Sequence, residues 1–153
     1  MSSDDVVDEY LTNTVSRDLR SLSLGKVLGS GAYRTVYEWL PDPTLVAKVE
    51  VGAGSFGNVE EWHTWIRVQD VPSVARWFAP AVQISDCGTI LLMRRTMPAS
   101  IKDLPEKCPS FLADRKVGNF GRFDGRIVCH DYGAHLLLEK GMRVRLVKAD
   151  WWD

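Results

Sequence analysis

Between Leu24 and Val51 three strand-forming runs follow one another with connections too short to hold a crossover, which constrains the fold more than any other feature. Leu24–Ser30 and Ala32–Leu40 flank a glycine turn. Tyr33, Thr35, Val36, Tyr37 and Trp39 are β-branched or aromatic, the types that suit a pleated, half-buried backbone. Pro41-Asp42-Pro43 then turns the chain into Leu45–Val51. Parallel strands need a crossover of about a dozen residues or more, so these strands pair antiparallel.

The chain next leaves the sheet and returns. Residues 52–57 read as a loop, and Asn58 as the cap of a helix with Glu60 and Glu61 in its first turn. Val59, Trp62, Trp65 and Ile66 give that helix an apolar face for the core, and Pro72 ends the pattern. Ala79–Ile84 and Thr89–Met93 form a hairpin around Asp86-Cys87-Gly88. The order is β-β-β-α-β-β. Upstream, residues 1–20 have acids early (Asp4, Asp5, Asp8, Glu9) and bases late (Arg17, Arg20). With Val6, Val7, Tyr10, Leu11 and Val15 between them, they predict a packing helix of one or two amphipathic turns. Downstream, 94–118 is irregular, with a short helix near 110–113. Phe120-Gly121 and Arg126–Cys129 are short strands, and 136–150 predicts a further hairpin. The fold class is α+β.

Composition narrows the setting. The chain has 153 residues, 45% apolar and 25% charged, which fits one compact domain over 1–153 with a core of its own. A net charge of -1 gives no basic field for nucleic acid. Cys87, Cys108 and Cys129 are odd in number and lack a Cys-x-x-Cys, so neither disulfides nor zinc is expected and a reducing cytoplasm fits. No apolar run approaches the ~20 residues of a membrane span, and Met1-Ser-Ser-Asp-Asp5 lacks the basic start of a signal peptide. His63, His130 and His135 have no metal-ligand spacing and read as structural or solvent-facing, while Trp151-Trp152 reads as a docked terminus.

Several residue types could carry chemistry. Gly29-Ser30-Gly31 lies between two strands, where glycines let backbone N–H groups approach phosphates and Val36 can roof a base; the same pattern also makes a plain hairpin bend. Lys48, after Ala47 in an apolar strand, either points to water or is buried and then needs a carboxylate. Glu61 on the next helix is the preferred partner, with Glu60 its rival. Asp114-Arg-Lys116-Val-Gly-Asn119 gathers a proton acceptor, a charge neutraliser and a metal ligand in one loop. Asp131-Tyr132-Gly133 follows a strand and reads either as a Mg²⁺ carboxylate or as an Asx turn.

Taken in order, Gly29, Gly31, Val36, Ala47-Lys48, Glu61, Asp114-x-Lys116-x-x-Asn119 and Asp131-Tyr132-Gly133 resemble the protein-kinase-like superfamily over residues 24–133. The resemblance implies a small ATP-binding lobe over 24–93, an antiparallel sheet plus one main helix, and a much reduced second part over 94–153. It implies that Gly29, Gly31, Val36, Ala47, Lys48 and Met93 bind ATP, with Met93 at the adenine-facing hinge. Lys48 would pair with Glu61, Asp114 would be the base, Lys116 a γ-phosphate contact, and Asn119 and Asp131 the Mg²⁺ ligands. The pattern also departs from the family. Arg34 stands at the third loop glycine, Leu112-Ala113 replace the His-Arg before the aspartate, and twenty residues separate Met93 from Asp114.

Two functions follow from the resemblance. One is a minimal ATP/Mg-dependent phosphotransferase acting on a hydroxyl acceptor. The alternative is a pseudokinase-type binding protein, of viral or mobile-element type, acting by contact with another protein. Neither implies a nucleic-acid or membrane partner, and neither fixes an oligomeric state.

Overall fold

The computed structural model describes residues 3–52 and 55–153, with side chains described from Asn13 onward. It is an α+β fold with antiparallel sheets, as the strand pattern predicts. Helix α1 (Ser3–Ser23) leads into β1 (Leu24–Ser30), β2 (Arg34–Trp39) and β3 (Leu45–Glu50). Helix α2 (Gly57–Val68) and the short α3 (Pro72–Ala75) precede β4 (Ala81–Ile84) and β5 (Ile90–Arg94). These five strands form one sheet in the order β1-β2-β3-β5-β4. Every pairing in it is antiparallel, and Val36 and Leu91 flank Lys48 in the register.

The remaining chain builds smaller sheets. Strands β6 (Met97–Pro98), β8 (Phe120–Phe123) and β9 (Arg126–Cys129) form one, and β7 (Lys107–Pro109) pairs with β10 (Leu146–Lys148) in another. The β8–β9 turn carries Asp124 at φ 51° and Gly125 at φ 74°, the Asp-Gly combination that a tight two-residue hairpin requires. A single core joins both halves: Val46, Val68, Phe78, Leu91, Phe111, Val128 and Tyr132 are buried in one cluster. Tyr132 is fully buried, its ring edge-on to Phe78 at 4.9 Å and its hydroxyl donating to the Ala79 carbonyl at 2.8 Å. Backbone bonds between Cys129 and both Trp77 and Ala79 fix the end of β9 against the segment before β4. Among the described residues no helix is long and apolar enough to cross a membrane.

The structure corrects several local expectations. Helix α1 runs 21 residues rather than one or two turns. Over its described side chains it does not pack inward, since Val15, Leu19 and Leu22 are 51–70% exposed. Its expected anchors Val6, Val7, Tyr10 and Leu11 lie outside the described side chains, as Ala53 and Gly54 of the loop before α2 lie outside the described residues. Asn58 does not cap α2: Phe56 stands at the cap, and Asn58 is buried inside the first turn. The buried stripe of α2 is Asn58, Glu61, Thr64 and Val68, while Trp62 and Trp65 are half-buried at its flank and Ile66 is exposed. Pro72 opens α3, where a proline without its N–H is tolerated in the first turn. Residues 110–113 form a turn and not a helix. In place of a hairpin over 136–150, Leu137–Lys140 is a helical turn (α4) and β10 pairs with the distant β7. Trp151 docks as expected, its indole N–H donating to Pro105 O at 2.8 Å and its ring edge-on to Phe120. The three cysteines are free.

Candidate functional site

Strand β3 lies between β2 and β5, and its residues Leu45 to Lys48 are buried. A lysine there cannot reach water, so burial forces it to find acceptors inside the protein. Lys48 finds three. Its Nζ donates to Glu61 Oε1 at 2.8 Å, to Glu61 Oε2 at 2.7 Å and to the His130 carbonyl at 2.7 Å. Glu61 is fully buried on the inner face of α2, whereas Glu60 is exposed. Its carboxylate also accepts the Tyr132 backbone N–H at 3.0 Å.

Arg34 completes the cluster. Strand parity puts it on the Lys48 face, because Val36, two residues on, pairs directly with Lys48. Its guanidinium reaches Glu61 Oε2 at 2.9 Å, Glu61 Oε1 at 3.0 Å, Asn58 Oδ1 at 3.3 Å and Asp131 Oδ1 at 2.7 Å. Burial works against its charge, but Glu61, with Asp131 and Glu50 beyond, holds the guanidinium pKa above its ordinary value. Burial likewise pushes the Asp131 carboxyl up, yet Lys48 and Arg34 outweigh it and hold it below the usual carboxylate range. Asn58 pins α2 to the sheet: its amide nitrogen faces the carbonyls of Lys48, Gly88 and Thr89, each at 3.0 Å. Glu50 takes the capping task assigned to Asn58, accepting the Asn58 backbone N–H at 2.9 Å.

Of the residues singled out in the sequence, Lys48, Glu61 and Asp131 converge. Gly29 lies near the end of β1 opposite Val36 and Gly31 at the β1–β2 turn, neither with positive φ, and open space surrounds an added Cβ at Gly29. Val36 is half-buried on the Lys48 face, but alternation along β3 puts Ala47 on the opposite face, so the two do not line one surface with Lys48. Met93 is buried in mid-sheet between Val46 and Ala81, with ladders on both sides, and not at an open hinge. Asp114 is exposed and makes no ion pair or side-chain hydrogen bond among the described residues. Lys116 bridges to Trp152 and lays its ammonium 5.6 Å from that ring. Asn119 touches the site through its backbone: its carbonyl accepts the N–H groups of His130 and Asp131.

Arg34, Asn58 and His130 are members that sequence reasoning missed. Parity with Val36 was the available signal for Arg34. His130 is half-buried between Thr96 Oγ1 at 2.7 Å from Nδ1 and the Gly118 carbonyl at 2.8 Å from Nε2, so Nε2 carries the proton that the carbonyl accepts.

In the cluster Lys48 and Arg34 pair with Glu61 and Asp131, with Glu50 nearby, and all three Lys48 donors are engaged. No nucleophile in it is activated. The Cys129 thiol donates to the Asp131 carbonyl and burial pushes it far above the usual thiol range, and burial raises Tyr132 in the same way. Asp131 Oδ1 already holds a guanidinium nitrogen at 2.7 Å, so a Mg²⁺ ion on that oxygen, at about 2.1 Å, would displace Arg34 from it. Two surface hollows lie elsewhere. One of about 510 Å³ opens beside Thr44, Arg94, Arg95 and Phe123, and one of about 170 Å³ beside Thr64, His135 and Leu138. No protein-family model and no curated protein sequence matches the chain.

Proposed function

We propose that this chain is a kinase-like scaffold acting as a binding protein, in which the residues of a nucleotide site have become a structural cluster. The β-β-β-α-β-β order of 24–93 and the meeting of Lys48, Glu61 and Asp131 support the kinase-like part. One observation carries the non-catalytic part: every Lys48 donor is committed to Glu61 or to the His130 carbonyl, leaving none for a phosphate. Asp114 and Lys116, the residues that would handle the acceptor, stand outside the cluster. The partner is another protein.

A second reading, the minimal phosphotransferase, draws on Gly29. Nothing in the backbone or the packing requires glycine there, and a ligand approaching the β1–β2 turn would. A transfer assay with radiolabelled ATP, including autophosphorylation, separates the two. Absence of label in the native chain, in Lys48→Ala and in Asp114→Ala is expected. Label in the native chain that both substitutions abolish overturns the scaffold reading.

A further inference from the structure

We propose that Arg34 is the resident counter-cation of this site, holding Asp131 and Glu61 in the place of a divalent metal, so that the cluster is complete without one. The inference rests on the scaffold reading and says how that scaffold is closed. The guanidinium spans two elements far apart in sequence. One side meets the carboxylate of Glu61 on α2, and Nη2 reaches Asp131 in the segment after β9. A planar fork with several donors can bridge two carboxylates in this way, where an ammonium acts as a point charge.

The surroundings are shaped for that fork. A Cβ on Gly57, the first residue of α2, would lie 3.0 Å from Arg34 Cζ and 3.1 Å from Nε, so the glycine leaves the room the guanidinium fills. Gly133 adjoins Gly57, where an added Cβ would make ordinary contact with Gly57 Cα at 3.8 Å and Arg34 Nη2 at 4.0 Å. Asn58 Oδ1 takes a further guanidinium proton, which fixes the plane of the fork. Lys48 and Arg34 already pair with the carboxylates of Glu61 and Asp131, so a dication here would compete with Arg34 for them.

The test is thermal unfolding of the full chain in EDTA, in millimolar Mg²⁺ and in millimolar Mn²⁺, combined with a double-mutant cycle of Arg34→Gln and Asp131→Asn. The native melting temperature is expected to be the same in all three solutions. Arg34→Gln is expected to melt lower, and Asp131→Asn to matter much less in that background than in the native one. If Arg34→Gln does not fold, Arg34→Met takes its place in the cycle, with the same loss of coupling expected because the charge is gone. A saturable rise of the native melting temperature with Mn²⁺ that Asp131→Asn abolishes overturns the inference. So does an Asp131→Asn effect of equal size in both backgrounds. Phosphoryl transfer by the native chain would remove the scaffold reading, whereas these melts judge Arg34 alone.

Discussion

The Lys48 ammonium meets both carboxylate oxygens of Glu61, at 2.8 and 2.7 Å, with neither side chain open to water. Breaking a buried pair by removing one partner costs about 3–5 kcal/mol, because the other is left charged and unpaired. The two sides are unequal here. Glu61 keeps Arg34 and the Tyr132 N–H if Lys48 is lost, whereas Lys48 keeps only the His130 carbonyl if Glu61 is lost. Glu61→Ala is therefore expected to cost about 4 kcal/mol and Lys48→Met about half as much, read from urea unfolding midpoints at constant slope. Equal costs would show that Arg34 does not share the charge of Glu61.

Gly57 makes room for Arg34, and that relation has a sign that can be tested. Alanine in place of glycine favours a helix by up to about 1 kcal/mol, while a forced contact in a packed site costs about 1–3 kcal/mol. Gly57→Ala is expected to destabilise the native chain by about 1 kcal/mol and to become stabilising in an Arg34→Ala background. Denaturation of the two single variants and the double variant gives the answer.

Burial holds the His130 imidazole below its ordinary value of 6.5, and burial does the same to His135, whose Nε2 meets Thr64 Oγ1 at 2.6 Å. Groups with lowered folded values contribute stability that is complete above the unfolded value and is lost as pH falls through the folded one. Stability is thus expected to decline from about pH 6.5 downward. It should decline again below about pH 4 as Asp131, lowered from 3.8, takes up its proton. Unfolding midpoints between about pH 7.5 and about pH 5 should flatten in a His130→Gln, His135→Gln double variant.

At the carboxyl end the two tryptophans differ. Trp151 donates to Pro105 O and packs on Phe120, while Trp152 is half-exposed beside Lys116. Trp151→Phe keeps an aromatic ring on Phe120 but loses the indole N–H and its hydrogen bond of about 1 kcal/mol, and Trp152→Ala should cost no more than the cation–π contact, also about 1 kcal/mol. Thermal melts of the two variants check the order, with Trp151→Ala expected to exceed both.

The three strands of 24–51 and the β4–β5 hairpin were legible because each pairing is local, whereas the β3–β5 ladder that joins them into one sheet spans more than 40 residues. The Lys48–Glu61 pair was legible for a physical reason as well: a cation inside an apolar strand requires a carboxylate, and the next helix supplies one. What escaped was encoded at long range. Arg34 meets Asp131 across 97 positions, and only the parity of Arg34 with Val36 hinted at its direction. Asn58 has the residue type of a cap, but three carbonyls from β3 and the β4–β5 turn claimed its amide. The apolar run at 136–138 and the alternation at 142–146 look like one hairpin, yet β10 joins β7, which no local pattern announces. The resemblance placed Ala47 in the nucleotide site beside Lys48, but neighbours in a strand point to opposite faces.

The most direct test of the self-satisfied cluster is a calorimetric titration of the full chain with Mg·ATP. No saturable heat is expected, and none should appear on Lys48→Ala. Saturable binding by the native chain, lost in Lys48→Ala, would contradict it, because a phosphate would then have taken Lys48 from Glu61 and the His130 carbonyl.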